Sequence, residues 1–281
     1  MKKLLVFQTD FTYKEGAVAA MYGVVKSVDS DVEIITATHE IPQYDTWSAS
    51  YRLYQYIDFW PKGTIFVSVV DPGVGTSRTA CVAKTKNGYY IVTPDNGSLT
   101  HVDKYFGIEE VRKIDEKRNR LIREDNGHVS IFHGRDLFGY CAAKLASGLI
   151  TYEEVGPEYD LNEIVRHEII EAKVHDDYIE GMFEINDPNF GNLWTNIKLD
   201  DFLNFGFKIG DKVHTIIYNK DEIVYDDVIP YYDSFGKAPA YSVMIYNNEI
   251  NKMGLAKVTG NLCEDKNLSY GQDYKVVFKH E

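Results

Sequence analysis

The sequence predicts an α/β protein, with an N-terminal domain built on a parallel sheet and a smaller, C-terminal all-β barrel domain. Strands and helices alternate along the first half of the chain, whereas short β-rich segments separated by turns fill the second half. A length of 281 residues and a hydrophobic fraction of 44% are enough for two such cores. We expect the α/β domain over residues 1–160 and the barrel over residues 165–281, with a hinge near residues 157–165.

Five segments of alternating character open the chain. Leu4–Gln8 is a short apolar run and Val32–Thr38 is rich in β-branched residues, so both are predicted strands. Lys14–Val28 and Thr46–Trp60 place apolar side chains at helical spacing. Ile65–Val70 reads as a third, buried strand. Strands that alternate with helices imply parallel pairing through right-handed crossovers.

A hairpin and a helix complete the first domain. Thr79–Lys84 and Tyr89–Thr93 are β-rich and flank Asn87-Gly88, a dipeptide typical of tight hairpin turns. A further helix is predicted over Asp136–Ala146.

The pattern changes after about residue 157. Turns separate short β-rich segments, and no helix of comparable quality follows, which favours a small barrel or sandwich. The predicted strands are Ile164–Val174, Tyr178–Ile185, Lys212–Tyr218, Tyr241–Tyr246 and Tyr274–Phe278.

Charge and composition exclude several classes of protein. A net charge of −13 and a pI near 5.1 argue against a nucleic-acid binder and are explained by solubility. Near the start only Leu4–Phe7 is apolar, too short for the core of a signal peptide, and no stretch has membrane-spanning length. The three cysteines, Cys81, Cys141 and Cys263, are too far apart to suggest disulfides or a metal cluster. We expect a cytoplasmic protein without a metal and without nucleic-acid or membrane partners.

The segment Asp71-Pro-Gly-Val-Gly-Thr-Ser-Arg78 places an acid and a guanidinium on one loop. Asp71 follows the predicted third strand, and open α/β sheets bind ligands at the carboxyl ends of their strands. The Pro-Gly turn can fold Arg78 back toward Asp71, which would keep the carboxylate ionised. A structural ion pair that stabilises the turn explains the same pattern equally well.

The segment Phe132-His133-Gly-Arg-Asp136 offers an imidazole at a strand-to-helix junction. Neither Asp71 nor His133 has metal-ligand spacing to another His or Cys. The chain also lacks a Gly-x-Ser-x-Gly nucleophile turn, and no Gly-x-Gly-x-x-Gly loop follows the first strand. An acid, a guanidinium and a histidine at loop edges of one sheet can instead orient and polarise a water molecule.

Three further loops carry candidate binding residues, each with a structural alternative. Asp10 ends the first strand and is either a helix N-cap or an acceptor for the vicinal hydroxyls of a sugar. Asn96 belongs to a segment that reads plainly as a turn. The stretch 187–196 is either a β-bulge loop or a site where Asp187 and Asn192 hold an amine or carboxylate beside Trp194.

Taken together and in order, these strings resemble the S-adenosylmethionine (SAM) hydroxide adenosyltransferase family, the adenosine-forming SAM hydrolases, whose relatives are the SAM-dependent fluorinases and chlorinases. The resemblance spans most of the chain. The strings that carry it are Thr9-Asp10, His39-Glu-Ile-Pro42, Asp71-Pro-Gly-Val-Gly-Thr76 with Arg78, Thr93-Pro-Asp-Asn-Gly97, Phe132-His-Gly-Arg-Asp136 and Phe190-Gly-Asn-Leu-Trp-Thr-Asn196.

The resemblance implies an α/β domain, a β-barrel and a homotrimer, with each site between the N-domain of one subunit and the C-domain of its neighbour. It implies SAM as the substrate and no cofactor. Asp71, Arg78 and His133 would activate water, Asp10 would hold the ribose hydroxyls, and Tyr44 would stack near the nucleoside. The other implied substrate-binding residues are Asn96, then Asp187, Asn192 and Trp194 on the methionine side, and Val258 and Thr259, whose backbone would contact adenine.

One departure from the family pattern concerns the substrate carboxylate. The family usually has a Ser-x-Gly step and an Asn-Gly-Gly-Ser-like loop near the end of the barrel. Here Glu249 falls about where a serine would meet the carboxylate, which is electrostatically unfavourable.

We therefore predict hydrolysis of SAM by attack of water at ribose C5′, giving adenosine and L-methionine, with Asp71 or His133 taking the proton. A carboxylate beside the nucleophile would repel a halide, so hydrolysis is preferred over halogenation. The alternative is a non-catalytic adenosine- or SAM-binding regulator on the same scaffold, and the altered Glu249 region keeps it open. A SAM methyltransferase would need a glycine-rich loop after the first strand, which is missing.

Overall fold

The computed structural model describes residues 4–122 and 131–281. The chain divides into two compact units, one ending at His167 and the other beginning at Glu168. Among the described residues, no helix is long and apolar enough to cross a membrane.

The first unit is built on a six-stranded sheet with the strand order β2-β1-β3-β5-β4-β6. Strands β1, β2, β3 and β5 pair in parallel, whereas β4 runs antiparallel to both of its neighbours. The strands are β1 Leu5–Thr9, β2 Ile34–Thr38, β3 Ile65–Val69, β4 Ala80–Thr85, β5 Tyr90–Pro94 and β6 Ile108–Lys113.

Helices cover both faces of this sheet and bury its apolar side chains. One core includes Met21 of α1 and Leu145 of α5, and the other includes Leu53 of α2 and Val102 of α3. The helices are α1 Ala17–Val28, α2 Thr46–Ile57, α3 Thr100–Tyr105, α4 Glu116–Asn119 and α5 Tyr140–Ser147, and a π-helical turn, Gly134–Gly139, leads into α5.

The predicted α/β class is confirmed, with three differences in detail. The sheet is mixed rather than purely parallel, because the predicted hairpin across Asn87-Gly88 inserts β4 antiparallel to β5. The helix predicted from Asp136 begins as the π-helical turn. Strand β6 was not predicted, because its charged sequence, Ile108–Lys113, suits a half-exposed edge strand and lacks a long apolar run.

The second unit is an antiparallel sheet that curls on itself, as the barrel prediction requires, with the order β11-β10-β14-β8-β9-β13-β12 and β7 beside β8. Its two ends meet where Tyr231 bridges to Ile245 and the Tyr232 N–H donates to the Ile245 carbonyl at 3.0 Å. The elements are β7 Lys173–Val174, β8 Tyr178–Asp187, β9 Asn192–Lys198, α6 Leu199–Asn204, β10 Lys212–Asn219, β11 Glu222–Pro230, β12 Val243–Asn247, β13 Lys252–Lys257, α7 Leu262–Lys266 and β14 Tyr274–His280.

One predicted strand of this unit is wrong. Within Ile164–Val174 only Lys173–Val174 is a strand, because side-chain contacts hold the segment before it in an irregular conformation. The Val165 N–H donates to Asp95 at 2.9 Å and Arg166 pairs with Asp103.

Strands β9, β11 and β13 were not predicted. The candidate binding stretch 187–196 forms the turn between β8 and β9 and most of β9 itself.

Candidate active site

Two carboxylates lie at the same edge of the first sheet. Asp10 directly follows β1, and Asp71 comes two residues after β3, its immediate neighbour in the sheet. Because parallel strands end at a common edge, both side chains reach one cavity of about 360 Å³. The residues that line it include Asp10, Phe11, Tyr44, Val69, Asp71, Val74, Ile131, Phe132, His133 and Gly134.

Arg78 joins Asp71 to His133. Its Nε donates to Asp71 Oδ1 at 2.9 Å, and its Nη2 donates to Asp71 Oδ2. The same Nη2 lies 2.9 Å from His133 Nδ1. The guanidinium carbon lies 5.0 Å from the centre of the Phe138 ring, and the Asp71 and Arg78 side chains are both more than nine-tenths buried. The ion pair is therefore well shielded from water, and it presents Asp71 to the cavity.

This contact determines the protonation state of His133. A guanidinium can only donate hydrogen bonds, so His133 Nδ1 must accept and the ring proton resides on Nε2. Burial, reinforced by the charge of Arg78, lowers the pKa of His133. The imidazole is consequently neutral near pH 7 and offers an Nε2–H donor.

Close packing of glycine and aromatic rings supports His133. A Cβ on Gly134 would come within 2.9 Å of the Phe132 ring and 3.0 Å of the Phe11 ring, so a larger residue there would displace these rings. These two rings meet edge to face with centroids 5.6 Å apart. The π-helical turn follows at once, a rare feature that is frequent at functional sites.

Asp10 is oriented by the backbone of Tyr44. The Tyr44 N–H donates to Asp10 Oδ2 at 2.9 Å, and Tyr44 has a φ of 66°, in the left-handed region that is uncommon for residues other than glycine. Burial raises the pKa of Asp10, with the Tyr44 hydrogen bond acting in the opposite direction. The Tyr44 ring is 62% exposed at the mouth of the cavity and is therefore available to a ligand.

A second, larger cavity of about 840 Å³ lies in the second unit. It brings together three predicted residues, Asp187, Asn192 and Thr259. It also includes Phe190 and Phe235, which the sequence analysis did not single out as individual residues and which are 64% and 42% exposed. Exposed aromatic rings beside amides suit a flat, polar-edged ligand such as a nucleobase.

Gly191 and Asn261 shape the wall of this second cavity. Gly191 has a φ of 66°, and a Cβ there would overlap Asn261 Oδ1 at 1.7 Å. Asn261 in turn caps α7 by accepting from the Glu264 N–H at 3.0 Å. The Gly191-Asn192 pair in the sequence is the signal for this tight turn. It does not reveal the exposed Phe235, which lies on a 3-10 turn between β11 and β12.

Three predicted binding residues do not line either cavity. Trp194 is buried and donates its Nε1–H to the Tyr246 hydroxyl at 2.7 Å. Asn96 donates to the Val70 carbonyl and accepts from Ser98, as predicted for a residue that stabilises a turn. Val258 is 7% exposed, and its N–H donates to the Ser242 carbonyl at 2.9 Å.

Glu249 does not line the second cavity either. It is exposed near the tip of the β12–β13 hairpin. Within residues 4–122 and 131–281, no group of three or more His, Cys, Asp or Glu side chains is arranged to hold a metal ion.

Two family models match the chain. The SAM hydroxide adenosyltransferase N-terminal domain matches residues 5–156, and the C-terminal domain of the same name matches residues 183–275. An (R)-S-adenosyl-L-methionine hydrolase of Methanocaldococcus jannaschii is 30% identical over 98% of this chain and 96% of its own. A fluorinase of Actinopolyspora mzabensis is 23% identical over 98% of this chain and 97% of its own. A crystal structure of an uncharacterized conserved protein from Thermotoga maritima superposes with a TM-score of 0.87 at 29% identity, covering 99% of this chain and 100% of that one.

Proposed function

Because the chain belongs to the SAM hydroxide adenosyltransferase family, we propose that it hydrolyses S-adenosyl-L-methionine to adenosine and L-methionine. The observation that carries this proposal is the Asp71–Arg78–His133 triad, open to a cavity that also holds Asp10. The name of the Methanocaldococcus protein specifies the (R) sulfonium, and we propose the same preference here.

The proposed reaction is a single in-line displacement at ribose C5′. A bond forms between the water oxygen and C5′ while the C5′–S bond breaks, and its electron pair returns to the methionine sulfur. The sulfonium is already a good leaving group, so no general acid is required. Free water has a pKa of ~15.7, so a nearby base must take its proton as the new bond forms.

Asp71 is the proposed base, because His133 has no free acceptor. The Nδ1 of His133 is occupied by Arg78, and its Nε2 carries the proton. The Nε2–H therefore donates to the attacking water and orients it, while the Asp71 carboxylate accepts the proton. Arg78 is the positioning residue that fixes both partners.

The same carboxylate favours water over a halide. Some relatives are named fluorinases, so halogenation is the nearest competing reaction. An anion beside Asp71 would be repelled in a site this well buried, whereas water gains a charge-assisted hydrogen bond.

Substrate contacts are proposed for both cavities. In the first, Asp10 would accept hydrogen bonds from the two ribose hydroxyls, and Tyr44 would stack near the nucleoside. In the second, Phe190 and Phe235 would flank adenine, while Asp187 and Asn192 would hold polar groups of the substrate. Thr259 would contribute its backbone there.

We also propose that the protein is cytoplasmic and forms a homotrimer in which the first cavity of one subunit is completed by the second cavity of its neighbour. The resemblance to the family supports this assembly. So does the division of the candidate substrate residues between one cavity in each unit.

The test is to incubate the protein with the separated (R) and (S) diastereomers of SAM in ¹⁸O-labelled water and to analyse the products by chromatography and mass spectrometry. We expect adenosine with the label in its 5′-hydroxyl, an equal amount of methionine, and faster conversion of the (R) form. Binding of SAM without any product would instead support the non-catalytic regulator. Unlabelled adenosine in the first turnover would indicate a covalent route through Asp71.

A further inference from the structure

A hydrogen-bond network centred on the buried side chain of His39 lies next to the Asp10 loop, and neither His39 nor Tyr22 lines the cavity. His39, which follows β2, is 1% exposed. Its Nδ1 is 2.8 Å from Thr9 Oγ1, and its Nε2 is 2.8 Å from the hydroxyl of Tyr22 on α1. The Tyr22 hydroxyl also contacts Thr36 of β2. His39, at the end of β2, therefore links β1 through Thr9 and α1 through Tyr22, at the point where the Asp10 loop leaves the sheet.

The imidazole of His39 can satisfy both neighbours at once. Burial lowers its pKa to about 4, so the ring is neutral at pH 7. A neutral imidazole donates from one nitrogen and accepts at the other, which matches two hydroxyl partners.

His39 contacts the chain before and after Asp10, through its ring at Thr9 and through its backbone carbonyl at Thr12. Thr9, whose hydroxyl contacts the His39 ring, also accepts from the Phe11 N–H at 3.1 Å. The Thr12 N–H donates to the His39 carbonyl at 2.8 Å. Thr12 has a φ of 56°, which is disfavoured for a β-branched residue, so the loop depends on such external bonds.

We propose that His39 and Tyr22 are positioning residues that preorganise Asp10 for the ribose hydroxyls. The proposal rests on the proposed function, since it takes Asp10 as the ribose acceptor. Neither His39 nor Tyr22 lines the cavity, so both act through the Thr9–Thr12 backbone rather than on the substrate. A carboxylate fixed before binding loses less conformational freedom when the ligand arrives.

The test compares Tyr22→Phe, which removes one hydroxyl from the network and keeps the ring, with wild-type protein. We expect a roughly three- to tenfold rise in the Kd for adenosine, as for the loss of about one neutral hydrogen bond. The kcat for SAM should stay within about twofold, because the triad lies on other loops. Tyr152→Phe is the matched control: its buried hydroxyl donates to Val82 and Glu110 at the opposite edge of the sheet.

A double-mutant cycle with Asp10→Ala separates positioning from general loosening, with weak affinities measured by ligand-observed NMR. If Tyr22 acts through Asp10, Tyr22→Phe should weaken adenosine binding no further once Asp10 is gone. Equal losses with and without Asp10, or an unchanged Kd in either single variant, would overturn the proposal.

A second pair of variants covers the case in which Tyr22→Phe folds poorly. His39→Asn keeps an acceptor near Thr9, and His39→Gln keeps a polar group near Tyr22. We expect both to raise the Kd for adenosine, and unchanged affinity in both would contradict the proposal. These titrations do not depend on turnover, so absence of SAM hydrolysis by wild-type protein would overturn the proposed function alone.

Discussion

At the scale of single residues, Arg78 determines how the other two members of the triad behave. The sequence predicts its pairing with Asp71, because the two residues share one short Pro-Gly loop. It does not predict the contact with His133, which joins positions 55 residues apart. That contact assigns the His133 tautomer, and this tautomer is the reason why we propose Asp71 rather than His133 as the proton acceptor. The sequence alone left both possible.

The Asp71→Asn variant should lose at least about a hundredfold in kcat, since an amide cannot take the proton from water. Adenosine affinity should change less than about threefold, because the amide keeps the shape of the side chain. Steady-state kinetics with SAM and calorimetry with adenosine measure the two effects separately.

Asp103→Asn is the control for this prediction. Asp103 also pairs with an arginine, Arg166 at 2.7 Å, but it does not line the cavity. We expect it to retain wild-type kcat. An active Asp71→Asn variant would remove Asp71 from the base role.

At the scale of elements, sequence periodicity predicted the helices and strands that contain long apolar or β-branched runs. It missed the elements whose conformation depends on packing against distant parts of the chain. The first helices and strands lie where predicted, because their buried faces repeat regularly along the sequence. Strand β9 was interpreted as a possible loop, since its amides and Trp194 do not alternate as a simple half-buried strand would. Phe190 and Phe235 line the same cavity because the second sheet curls. Local sequence patterns do not predict this curl.

Element packing also predicts a dependence of stability on pH through His39. The pKa of His39 is about 4 in the folded protein, against about 6.5 for a free histidine. Between these values the unfolded chain binds a proton that the folded chain excludes. The free energy of unfolding should therefore fall as the pH falls from about 6.5 to 4, by at most about 1.4 kcal/mol per pH unit from this residue.

Urea unfolding of wild-type protein and of His39→Gln across this pH range measures the contribution. His133 and His167, whose pKa values burial also lowers, act in the same direction and remain in the variant. We expect a shallower dependence in His39→Gln. Identical slopes in the two proteins would show that His39 is protonated equally in the folded and unfolded states.

At the scale of the whole molecule, the candidate substrate residues are divided between two units. The first unit carries the acid, the guanidinium and the imidazole, and the second carries the exposed aromatic rings and amides. The sequence predicts both sets from separate motifs. Their assembly into one site was implied by family resemblance, because no local signal encodes which surfaces of different subunits meet.

Mixed oligomers test whether one site is shared by two subunits. Asp71→Asn damages only the first cavity, and Asn192→Ala damages only the second, so each variant alone should hydrolyse SAM poorly at low substrate concentration. In every cyclic trimer that contains both variants, one of the three shared sites combines an intact first cavity with an intact second cavity from the neighbour. Co-expression of differently tagged chains, followed by tandem purification, should therefore restore kcat/KM well above the sum of the two variants. A site contained within one chain cannot be restored in this way, since every chain carries a defect. Mixed trimers with no recovered activity would contradict the shared site and would leave the chemistry assigned to Asp71 unaffected.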